Sequence, residues 1–96
     1  LILSKPQYGE ELVINGIAKR QFATFLQELA EQYGLNGLPQ EDETIIINGK
    51  ATLQFATFLQ NAALAVDSTP PLEGETILED DIATFPFQSF LDILAA

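Results

Sequence analysis

Histidine, cysteine, methionine and tryptophan are absent from this 96-residue chain, and only four of its residues are cationic. Each absence closes a route to function. Without histidine the commonest general base and neutral metal ligand is gone. Without cysteine there is neither a disulfide nor a thiolate metal site, although that lack does not fix the compartment. The four cations, Lys5, Lys19, Arg20 and Lys50, form no stripe. A nucleic-acid backbone is bound by clustered Lys and Arg that displace counterions, so nucleic acid is not an expected partner. An anionic membrane surface is disfavoured on the same ground. Long apolar runs are missing too. The uncharged stretch Ala51–Val66 covers 16 residues and includes Thr52, Gln54, Thr57, Gln60 and Asn61. A spanning helix needs about 20 predominantly apolar residues, so membrane insertion is not expected.

What is present is a globular balance, with 47% apolar and 19% charged residues. The net charge is −10, and it is uneven. Residues 1–50 hold all four cations and seven acids, whereas residues 51–96 hold seven acids and no cation. This permits a basic protein partner and also serves plain solubility.

The chain repeats itself. The stretch TIIINGKATLQFATFLQ (44–60) echoes LVINGIAKRQFATFLQ (12–27), down to the heptad QFATFLQ. A third copy carries Pro71, Glu75-Thr76-Ile77, Asp80-Asp81 and Phe87-Gln88-Ser89-Phe90-Leu91 at matching places. The units run over about 4–36, 37–68 and 69–96 of a single repeat-built domain. Each unit opens at a proline, continues into a short β-branched run and reaches Asn-Gly, Asn-Gly or Asp-Asp. Asn-Gly signals a two-residue type I′ hairpin, because both central residues need positive φ. The alternative is a strand that ends at Asn-Gly, with the helix following at once. Pro86 argues against it, since proline belongs in a helix's first turn. The third helix is thus expected near Phe85 with Thr84 as N-cap, and the first two near Lys19 and Thr52. The fold class predicted is α+β: three tandem β-hairpin–helix repeats, stacked as a short solenoid or a compact pseudo-threefold unit.

The helical faces are well marked. Phe22, Phe25, Leu26, Leu29 and Tyr33 recur at the spacing of one buried stripe, as do Phe55, Phe58, Leu59, Ala62 and Val66, and Phe87, Phe90, Leu91 and Leu94. Gly34 supplies a stop for the first helix. The second helix adds Ala56, Ala63, Leu64 and Ala65 around its sides, so the middle unit is expected between its neighbours. The third ends in Asp92, Ile93, Ala95 and Ala96. A terminal repeat needs a polar outer face, and this one lacks it. Those four residues are the candidate interaction surface, covered by another subunit or by further chain. That the chain starts at Leu1 rather than Met fits a piece of a larger chain or assembly.

Chemistry finds little to work with. Ser89 aligns with Thr24 and Thr57, which reads as a shared small hydroxyl rather than a nucleophile, since activation needs an adjacent base. Glu41-Asp42-Glu43 and Glu79-Asp80-Asp81 could offer oxygens to Ca²⁺, but they match no EF-hand spacing and occupy different places in the repeat. Glu10, Glu43 and Glu75 recur before each first strand, either as a ring of three carboxylates or as charges protecting strand edges. No catalytic residue, metal site or cofactor is assigned. The expected function is a non-catalytic structural, assembly or protein-interaction module, such as a component of a larger particle or surface structure. The alternative is an acidic module or inhibitor that captures a basic protein.

Overall fold

The computed structural model describes residues 4–96. Three units follow one another, each a two-stranded antiparallel hairpin and a helix. They are β1 (Val13–Ile14), β2 (Ile17–Ala18) and α1 (Arg20–Tyr33); β3 (Ile46–Ile47), β4 (Lys50–Ala51) and α2 (Leu53–Ala65); and β5 (Leu78–Glu79), β6 (Ile82–Ala83) and α3 (Phe85–Ala95). The hairpins share one register: Ile14 faces Ile17, Ile47 faces Lys50 and Glu79 faces Ile82. Both turn residues lie at positive φ in all three, at 52° and 80° in Asn15-Gly16, 53° and 78° in Asn48-Gly49, and 52° and 66° in Asp80-Asp81. These are the dihedral signs of a type I′ turn, whose twist matches that of the strands.

Helices begin where the prolyl argument places them. Thr52 and Thr84 are N-caps whose hydroxyls accept from the amides of Phe55 (3.3 Å) and Phe87 (3.4 Å). Lys19 holds the same backbone position before α1 with no side-chain cap. Gly34 ends α1 in the left-handed region, and Leu35 N–H donates to Ala30 O (3.0 Å).

The core is built from the predicted stripes. Phe22, Phe25, Leu26, Leu29, Phe55, Phe58, Leu59, Ala62, Phe87, Phe90, Leu91 and Leu94 are all buried. Leu12, Ile45 and Ile77, equivalent residues before each first strand, complete it. Phe22 meets Phe55 edge to face with ring centroids 6.3 Å apart, a favoured aromatic geometry. The middle unit is less enclosed than its composition implies: Ala63 is buried, but Leu64 is 79% exposed and Ala65 faces solvent.

Backbone contacts between units recur at matching positions. The turn of the first hairpin meets the second unit, where Ile45 N–H donates to Gly16 O (2.8 Å) and Ile17 bridges Thr44. The second turn meets the third unit likewise, through Ile77 N–H to Gly49 O (2.8 Å) and Lys50 with Thr76. The third turn returns to the first unit: Leu12 N–H donates to Asp81 O (2.8 Å), and Glu11 bridges Ile82. The dimensions are near equal, 28 × 25 × 24 Å.

Candidate interaction surface

The four residues singled out at the end of α3 meet different fates. Asp92 lies between two donors, Lys5 Nζ at 3.2 Å and Gln88 Nε2 at 3.1 Å. Ala95 packs on the core, and beside it Leu94 is fully buried with its carbonyl accepting from the Tyr33 hydroxyl (3.4 Å). Ile93, 48% exposed, and Ala96 remain outside. The end of α3 is thus partly covered by α1 and by the segment before the first hairpin, contacts far apart in sequence that its composition could not reveal.

The shared glutamates form no ring. Each carboxylate closes its own loop, accepting from the amide three residues earlier: Glu10 from Gln7 (2.9 Å), Glu43 from Gln40 (2.7 Å) and Glu75 from Leu72 (2.8 Å). The amide of each glutamate in turn donates to the carbonyl of that same residue. The exchange resembles a capping box, with both groups of a turn satisfied reciprocally. The spacing Gln-x-x-Glu, Gln-x-x-Glu, Leu-x-x-Glu was the available signal. Among the described residues no group of three or more acids is placed to hold a metal ion. Thr24 and Thr57 lie on exposed helix faces and donate to the carbonyls of Arg20 (2.9 Å) and Leu53 (3.0 Å), rather than entering the packing.

Clefts lie where a unit's helix start meets the proline-led loop of the next unit. Between α1 and the loop 38–43 is a groove of about 840 Å³, lined by Arg20, Ala23, Thr24 and Gln27 on one wall and by Leu38 to Glu43 on the other. Between α2 and the loop 71–75 is one of about 140 Å³, where Leu53 and Leu72 are 77% and 75% exposed. At the equivalent place α3 meets the loop 6–10 through a buried side chain. There Gln88 stands at the position of Ala23 and Ala56, is buried, and donates to Pro6 O (3.0 Å) as well as to Asp92. Sequence reading passed over Gln88 because a polar residue on a helix flank looks solvent-facing until its partner, 82 residues away, is known.

No helix among the described residues is long and apolar enough to cross a membrane. Comparison with protein-family models, with curated proteins and with solved structures finds no significant match.

Proposed function

We propose that this protein is a non-catalytic assembly or protein-interaction module, built as a closed ring of three hairpin–helix repeats rather than an open stack. The ring reading is supported by the bridges that run from first unit to second, second to third and third to first. The assembly reading is carried by one observation. Six large apolar side chains, Ile14, Ile47, Leu53, Leu64, Leu72 and Phe85, are each more than half exposed although the core is complete without them. Leu53 and Leu72 line one cleft together, and exposed apolar side chains that gather into a patch mark an interaction surface.

The test is mass in solution by light scattering over a concentration series, at low and high salt. An oligomer that persists or tightens in high salt is expected, because apolar burial drives it. A monomer at every concentration and both salts would sink self-association. A second reading, capture of a basic protein, is favoured by the exposed acids Glu79, Asp80 and Asp81 at the tip of the third hairpin. Such binding weakens steeply with salt, which separates it from apolar assembly.

A further inference from the structure

The bridges between units extend each hairpin into a row of paired residues. Ile14 faces Ile17, which faces Thr44, and Ile47 faces Lys50, which faces Thr76. In the third unit Glu79 faces Ile82, which faces Glu11. Residues directly opposite in antiparallel pairs project to one face, and here that face is outward. All of these residues are exposed or half-buried, with Ile14 at 56% and Ile47 at 58%. Beside them Val13, Ile46 and Leu78 turn into the core. Each row ends three residues before the next begins: Thr44 before Ile47, Thr76 before Glu79, and Glu11 before Ile14. The rows thus close into one circuit, with Ile14, Ile17, Ile47 and Ile82 as its apolar part. Among the described residues Lys50 and Glu79 have no ion-pair partner within the chain.

We propose that this circuit is the surface on which a second copy of the chain docks, face to face about a two-fold axis. The inference rests on the ring and self-association readings above and names their interface. Turning one copy over reverses the order in which its circuit runs. With the axis between Ile14 and Ile17, Ile14 meets the partner's Ile17 and Ile47 meets the partner's Ile82. Lys50 then meets the partner's Glu79, and the Thr44 hydroxyl meets the partner's Glu11. Each of these contacts occurs twice, as an isologous interface requires. The alternative acid for Lys50 is Glu11, but that orientation sets Glu79 against its own copy, and like charges in contact are costly. Burial of the isoleucines drives the association, and the Lys50–Glu79 pairs fix its orientation. A second copy is the occupant because the circuit is complementary to its own reversal, in charge as well as in apolar character.

Sedimentation velocity of the full chain over a concentration series should show a monomer–dimer equilibrium that stops at two, since a two-fold interface closes on itself. Lys50→Glu and Glu79→Lys, both at exposed positions, should each raise the dissociation constant about a hundredfold, because like charges then oppose each other at both copies of the pair. An equimolar mixture of those two variants should regain the parent's affinity, since each offers the charge that the other lacks. Ile14→Thr, which keeps a β-branched residue in the strand, should weaken the dimer as well. Leu64→Ser, on α2 and outside the hairpins, should not. An oligomer that persists undiminished in Lys50→Glu, Glu79→Lys and Ile14→Thr, or that is lost in Leu64→Ser, overturns this interface while self-association stands. A mixture that associates no more tightly than its components overturns the two-fold orientation and the proposal with it. A parent that is monomeric at every concentration overturns self-association itself.

Discussion

Three aspartates occupy backbone positions that belong to glycine, and the repeat itself supplies the comparison. Asp42 (φ 68°) stands where the other loops have Gly9 and Gly74, Asp67 (φ 57°) where α1 has Gly34, and Asp81 (φ 66°) where the other hairpins have Gly16 and Gly49. Positive φ strains any residue with a Cβ, by roughly 1–2 kcal/mol, although aspartate tolerates it better than most. Asp81 differs from the other two in its surroundings. A Cβ on Gly16 would collide with the carbonyl oxygen of Ile46, and one on Gly49 would lie 2.5 Å from that of Leu78. At those two junctions the following residue, Ile46 or Leu78, adds a second bond to the turn carbonyl, at 3.2 and 3.1 Å. At the third junction, among the described residues, Leu12 alone donates to Asp81 O. Asp81→Gly should therefore stabilise by about 0.5–1 kcal/mol, net of the greater freedom glycine gives the unfolded chain, and should gain more than Asp42→Gly or Asp67→Gly. Gly16→Ala and Gly49→Ala should each cost more than about 2 kcal/mol, since the strain of positive φ and the collision add. Urea unfolding of the five variants checks the order, and a Gly49→Ala protein as stable as the parent would contradict it.

Elements were the most legible level. A helix needs only its own stripe of apolar residues and its own cap, and both are written locally, which is why Phe22 to Leu29, Pro86 and Thr84 were enough to place α1 and α3. The hairpins were readable for the same reason, since Asn-Gly imposes its turn without help from elsewhere. Local logic also exposes one weak element. Lys19 adopts φ −68° and ψ 160°, nearly the values of Thr52 (−64°, 164°), but offers no oxygen to the first turn. Its ion pair with Glu11 is long, 3.8 Å, and largely solvated, so it contributes at most about 1 kcal/mol and often far less. Lys19→Thr should raise stability by about 0.5–1 kcal/mol through the missing cap, while Thr52→Ala should lower it by about 1 kcal/mol. For a domain of this size a change of 1 kcal/mol moves the midpoint by about 4–8 °C. Calorimetry of the two variants should show shifts of opposite sign, and a lower midpoint for Lys19→Thr would show that the ion pair outweighs the cap.

Relations between units were not legible, because they are made of backbone bonds and single side chains joined across long sequence separations. Nothing in the composition of Glu11 or Ile82 says that they bridge, and the same apolar stripes serve an open stack and a closed ring equally well. The candidate surface suffered from this most: Ile93 and Ala96 stay outside as their apolar character suggested, whereas Lys5 and Tyr33 cover what surrounds them. A ring makes a demand that a stack does not, namely that no unit is intrinsically first. Lys5 pairs with Asp92, and Pro6 O accepts from Gln88, so the start of the described chain already lies against α3. A circular permutant that begins at residue 69, joins residue 96 to residue 4 by a short Gly/Ser linker and ends at residue 68 keeps all three bridges between units if the proposed ring holds. Only the lengths of the connecting segments change, and loop-closure cost rises slowly, by about 0.6 kcal/mol per doubling. The permutant should unfold in one cooperative transition within about 1–2 kcal/mol of the parent. In an open stack the same permutation would place the third unit ahead of the first and abolish its packing on the second. A permutant that is unfolded, or that melts in two separate steps, would therefore return the architecture to a stack and leave the bridge between Glu11 and Ile82 without structural weight.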